Sequence, residues 1–219
     1  RVSRGLGDVY KRQADIGQTV NFQTTITAQP GAQNYVLHDK MDAELTFGGT
    51  VTVKKNGTDV DAANYTIKKS TDSSTSITDG CTFEIAFVQS FCDTLGSNDQ
   101  IIVTYFATLA DNAVPKTEYK NETWLKYGDN NETNHDTTKT KTFELPVFKY
   151  TMKNSTETAL AGAIFTLSKN ANGSDPMELV SVGNDTYRVA KTDDAVKVTA
   201  VTTPDSGKFK IQGLDADTY

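Results

Sequence analysis

The sequence predicts an all-β protein of the β-sandwich kind. Three observations carry that prediction. Apolar and polar residues alternate over short segments, as in "TVNFQTTIT" at 19–27 and "QIIVTYFATL" at 100–109. Turn-forming pairs such as Pro30-Gly31, Gly48-Gly49 and Asn56-Gly57 punctuate those segments. Apolar positions recurring at helical spacing are nearly absent. Strand-length runs separated at short intervals by turn chemistry are the pattern of a sandwich.

The elements follow in order. Residues 1–13, "RVSRGLGDVYKRQ", show no alternation and no 7–15-residue apolar stretch of the secretory kind. The run resembles translated sequencing-adapter sequence and is set aside as a non-native leader. From Ala14, Val20, Phe22, Thr24 and Ile26 lie on one face of a strand, with Asn21, Gln23 and Thr25 on the other. After Pro30-Gly31 a further strand is expected in "NYVLHDKMDAELTF". The pair Gly48-Gly49 should end it before "TVTVKK" begins. Asn56-Gly57 predicts a hairpin leading to Tyr65–Lys69. A Ser/Thr-rich loop precedes "TFEIAFV". The strand at 100–109 then places Ile101, Val103, Tyr105 and Ala107 on one face. "ETWLKYG", a polar stretch "DNNETNHDTTKT" and "KTFELPVFKY" complete the first part. From about Val147 strands are expected at "AIFTLSK", "MELVSV", "TYRVAK", "AVKVTAVTT" and "KFKIQGL".

Composition narrows the function. The 219 residues suffice for one or two cored domains. Mean hydropathy is −0.48. No apolar run approaches the roughly 18 residues that span a bilayer. A net charge of −6 with scattered lysines and arginines does not suit nucleic acid. Cys81 and Cys92 have no zinc-type spacing. They could form a disulfide only if the chain doubles back between them, because bonded cysteines keep their Cα atoms within about 7 Å. His38 and His135 stand alone in the sequence, and no phosphate loop or calcium-loop spacing is present. No metal or cofactor is expected, and no paired carboxylates suggest an enzyme. Seven Asn-x-Ser/Thr sequons, Asn121 among them, follow from an Asn/Thr-rich composition.

Two sets of motifs resemble known families. "DIGQTVNF", "LHDKMDAELTF", "IIVTYFATL" and "NETWLKYGDN" resemble, in that order, the fimbrial isopeptide-forming D2 domain of Gram-positive pilins and adhesins. That likeness covers about residues 14–145. The stretch 146–167, "PVFKYTMKNSTETALAGAIFTL", opens with a strand that puts a lysine where a core residue would normally sit, then re-enters order at "LAGAIF". It resembles the first strands of a SpaA-type (prealbumin-like, CnaB) domain. The second domain, 146–219, ends at "GLDADTY", where that family continues into further strands, so an incomplete domain is expected. The resemblances imply two β-sandwiches in tandem, Ig-like and then transthyretin-like.

They also imply a chemistry. A lysine amine on the first strand attacks the side-chain amide of an Asn, or the carboxyl of an Asp, on the last strand, and ammonia or water leaves. The lysine must be neutral and a neighbouring carboxyl protonated, and burial favours both. The groups must also be held together. In the first domain the resemblance gives Asp39 as the assisting acid and Asn121 as the amide, with Asn130 as the alternative. The lysine is expected just upstream of Ala14, near Lys11. In the second domain Lys149 matches the bond-forming lysine, with its partner beyond Tyr219, so Lys149 is expected to be unreacted here.

The expected function is therefore structural: a pilus shaft subunit or adhesin stalk, not an enzyme, outside the cell and anchored to the wall or pilus. Its partners would be a sortase, acting on a C-terminal signal outside this sequence, and neighbouring pilin subunits. The alternative is an adhesin domain recognising a host surface ligand, matrix or glycan, which would need exposed aromatics. Trp124, the only tryptophan, falls within an expected strand, which favours the core.

Overall fold

The computed structural model describes residues 11–74 and 77–219; residues 1–10 of the expected leader lie outside them. In chain order the first strands are β1 (Lys11–Gln13), β2 (Thr19–Thr27), β3 (Val36–Met41), β4 (Leu45–Lys55), β5 (Thr58–Asp59), β6 (Tyr65–Lys69) and β7 (Phe83–Phe87). They continue as β8 (Gln100–Leu109), β9 (Glu118–Tyr127), β10 (Asn131–Glu132) and β11 (Asp136–Lys141). A one-turn helix, α1 (Gln89–Cys92), follows β7. The remaining strands are β12 (Phe143–Phe148), β13 (Tyr150–Lys153), β14 (Thr156–Ala159), β15 (Ile164–Phe165), β16 (Leu179–Gly183), β17 (Thr186–Val189), β18 (Val201–Thr202) and β19 (Lys208–Leu214). The protein is all-β, as expected.

The chain divides into two compact units. The first holds Thr19–Thr108 and Tyr119–Lys139 with the described end of the leader; the second holds Gln13–Gln18, Leu109–Glu118 and Thr140–Tyr219. In the first unit, one sheet runs β2-β8-β4-β5 and the other β1-β11-β9-β3-β7-β6, with β10 on β9. β2 pairs with β8 antiparallel without interruption from Thr19↔Thr108 to Thr27↔Gln100. The alternation in β2 is realised directly: Val20, Phe22, Thr24 and Ile26 are buried and the residues between them are not. The sheets meet through aromatic rings. Phe83 of β7 lies 4.2 Å from Phe47 of β4 and 5.1 Å from Tyr105 of β8, centroid to centroid. Leu37, Ile85, Ile101, Val103 and Leu125 fill the interior around them.

In the second unit, one sheet runs β12-β19-β17-β16, beside a β13–β14 hairpin and a β15–β18 pair. Its core is Leu167, Leu179, Val201, Phe209, Ile211 and Leu214, with Leu145, Val147, Phe165 and Tyr187 packed against it. Gly207 is required where the chain turns into β19. Its φ is +66°, and a Cβ there would sit 2.3 Å from the Lys149 carbonyl.

Several elements differ from expectation, among them the expected strand 163–169, of which only Ile164–Phe165 is a strand. β4 runs through Gly48-Gly49 instead of starting after it, because the Phe106 ring lies against Gly48 where any Cβ would collide with it at 2.2 Å. The glycine serves close packing rather than a break. The polar stretch after β9 forms β10 and β11, with Thr140 fully buried. The Asn154-Ser155 pair does not end the order. Both residues take positive φ and close the β13–β14 hairpin. Of the expected strand 195–203, only Val201–Thr202 is a strand.

Candidate functional site

The centre of the first unit holds three polar side chains among apolar neighbours. β3 and β9 pair antiparallel with Asp39 opposite Thr123 and Met41 opposite Asn121. Asp39 and Asn121 therefore lie diagonally on one face, within reach of each other. That face turns inward, and Asp39 and Asn121 are 0% and 2% exposed. Tyr105 arrives from the other sheet, on the inner face of β8.

The three are joined by hydrogen bonds. The Tyr105 hydroxyl donates to Asp39 Oδ2 at 2.5 Å. The Asn121 amide donates to the same oxygen at 3.1 Å and to the Tyr105 oxygen at 3.0 Å. The Asn121 carbonyl oxygen is buried and has no hydrogen-bond partner among the described residues. An unpartnered buried carbonyl is destabilising by about 1–3 kcal/mol, so its presence marks a place where another group belongs. Beside it lies a small cavity of about 20 Å³, lined in part by Phe22, Thr24, Tyr105, Asn121 and Thr123. Among the described residues that line it, none is a lysine. Burial, with the Asp39 carboxyl alongside, holds the Tyr105 phenol well above its ordinary value, so it stays protonated and a donor.

The other sequence candidates fall elsewhere. Asn130 is exposed in the turn after β9. Lys11 belongs to β1. Lys149 lies in the second unit between β12 and β13, with its residue exposed. Its amide donates to the Gly207 carbonyl at 2.8 Å and its carbonyl accepts from Leu160 at 3.0 Å. Cys81 and Cys92 are free and buried. Asn121, being buried, is not presented as a glycan acceptor. Trp124 is buried in β9, flanked by the stacked rings of His38 at 5.2 Å and His135 at 4.3 Å. The histidines, isolated in sequence, thus flank one indole. Tyr105 is the member of the cluster that sequence reasoning did not assign. Its signal was available: a tyrosine on the inner face of an alternating strand needs a buried partner for its hydroxyl.

No family model and no curated protein matches the sequence. Solved structures do match the fold. The 35 kDa C-terminal fragment of the major pilin GBS80 of Streptococcus agalactiae aligns with a TM-score of 0.67 and 17% identity, over 99% of this chain and 80% of that one. The pilus 2b backbone protein of group B streptococcus aligns at 0.62 and 18%, over 96% and 83%. BcpA, the major pilin subunit of Bacillus cereus, aligns at 0.60 and 16%, over 98% of this chain and 55% of that one. The chain thus spans about half the length of the Bacillus pilin. It has the fold of Gram-positive major pilin backbone proteins. No described helix is long and apolar enough to cross a membrane.

Proposed function

We propose that the protein is a structural subunit of a Gram-positive surface fibre, a pilus shaft or adhesin stalk. In this reading it lies outside the cell, is handled by a sortase and joins neighbouring pilin subunits. The first unit is locked by an isopeptide bond between a lysine and Asn121. The observation that carries this is the buried Asp39–Tyr105–Asn121 cluster, with its unpartnered Asn121 oxygen beside a cavity, in a chain with a pilin fold.

The roles follow from the geometry. An amine occupying the cavity meets the Asn121 side chain. With the amide turned over, its carbonyl oxygen faces Asp39, and a protonated carboxyl there donates to it and makes the carbon more electrophilic. Tyr105 holds Asp39 in place. The lysine nitrogen bonds to the amide carbon, the C–N bond to the original nitrogen breaks, and ammonia leaves carrying the displaced proton. The lysine comes from the strand preceding Ala14. A link closing on the order of 100 residues would contribute about 4–5 kcal/mol by restricting the unfolded chain. The second unit is read as a domain of the SpaA type, with Lys149 as its candidate bond-forming lysine.

Intact mass and peptide mapping test the reading. The native first domain should be lighter by about 17 Da, the mass of ammonia, with a branched peptide containing Asn121. The deficit should vanish in Asn121→Ala and Asp39→Ala. A folded first domain at its full calculated mass would leave a plain sandwich spacer.

A further inference from the structure

The outer face of the same sheet carries a second cluster, independent of the buried one. His38 stands opposite Glu84 across the β3–β7 pairing, and the loop before β7 brings Asp79 and Cys81 onto the same spot. His38 Nδ1 lies 2.9 Å from Asp79 Oδ2, 3.4 Å from Glu84 Oε1 and 3.6 Å from Cys81 Sγ. One ligand atom each from His38, Asp79 and Cys81 falls within 4.8 Å of the others.

We propose that His38, Asp79 and Cys81 form a zinc site, with Glu84 or water in the fourth position. The donors suit the ion. Mixed nitrogen, sulfur and oxygen ligands suit zinc, whereas calcium and magnesium take oxygen alone. The spacing suits it as well. Zinc bonds of ordinary length at tetrahedral angles put nitrogen and sulfur about 3.6 Å apart, and nitrogen and oxygen about 3.4 Å apart. The separations to Cys81 and Glu84 match these edges. Asp79, now within hydrogen-bond distance of His38, would move outward by about 0.5 Å to reach its edge length. It lies on an exposed turn, which permits the shift and gives the ion a way in.

The supporting contacts are those of a built site. Asp79 Oδ1 accepts the Cys81 amide at 3.2 Å, folding the turn so that both side chains face His38. The His38 ring is stacked on Trp124 with 10° between planes, which fixes its orientation. His38 and Cys81 are 4% and 2% exposed. The Lys126 Nζ lies 3.4 Å from Asp79 Oδ2, and zinc would displace it. On binding, the Cys81 thiol loses its proton to solvent and the thiolate bonds the metal.

Titration of the folded chain with zinc alone, followed by calorimetry, should show one equivalent bound and about one proton released. Cobalt alone should give the near-ultraviolet thiolate-to-metal absorption. Cys81→Ser and His38→Gln should weaken zinc binding by at least about tenfold, while Cys92→Ser leaves it unchanged. Absence of the cobalt–thiolate band in the wild-type chain overturns the proposal, even if the variants fail to fold. So does loss of binding in Cys92→Ser with retention in Cys81→Ser.

Discussion

Asp39 and Lys149 are the polar residues, one in each unit, to which the family resemblances give a reactive role, and the fold treats them oppositely. Asp39 is enclosed between two sheets with a phenol and an amide as partners. Lys149 sits past the end of β12, where the chain leaves the sheet for a hairpin whose residues are all exposed. The contrast shows what a reactive polar residue needs. A strand position does not by itself bury a side chain; a second layer across from it must close over it. In the first unit β8 supplies that layer. At Lys149 the described chain brings only backbone, from Gly207 and Leu160.

The comparison can be broken most forcefully at Asp39. Asp39→Ala leaves the Tyr105 hydroxyl and the Asn121 amide buried without their shared acceptor, and should destabilise the first unit by on the order of 3 kcal/mol in urea unfolding. Tyr105→Phe removes one donor and one acceptor, and should lower stability by about 1–2 kcal/mol. The same phenol predicts a pH effect. Its folded pKa is raised above the ordinary 10.0. The unfolded chain therefore releases this proton first, and the stability it contributes is complete below pH 10 and falls as pH rises beyond it. Thermal melts of the wild type should show that alkaline decline, and Tyr105→Phe should flatten it. The smallest effect is expected at Lys149. Lys149→Ala should change stability by no more than about 0.5 kcal/mol, and an amine-reactive label followed by peptide mapping should modify Lys149 readily. Protection of Lys149 from the label would erase the contrast.

Much of this was legible before the fold was known. Alternation in β2 and β8 marked the inner residues directly, because a strand facing one core repeats every two residues. Glycine was less readable. Gly48 has the composition of a break, yet it lies inside β4 to admit Phe106, a residue on another strand. Asp39 and Asn121 were reached through a family resemblance, since nothing local distinguishes a buried carboxyl from a surface one. The approach of Cys81 to His38 was invisible because 43 residues separate them and only the β3–β7 pairing joins them. Lys149 shows the reverse limit: its apolar neighbours Val147 and Phe165 pack on the core while it does not.

The separation between partners along the chain has a kinetic consequence. Asp39 is 66 residues from Tyr105 and 82 from Asn121. Contacts this distant in sequence form slowly, because long loops must close before any pairing compensates them. As the chain emerges from its N-terminal end, β3 and β7 can pair early, but β3 keeps its other edge open until β9 has been made. Such an edge invites pairing with other chains. The inner cluster is complete only once β9 docks on β3, so covalent closure of the first strand onto Asn121 would act as a latch on a finished sandwich and could not fix a misregistered one.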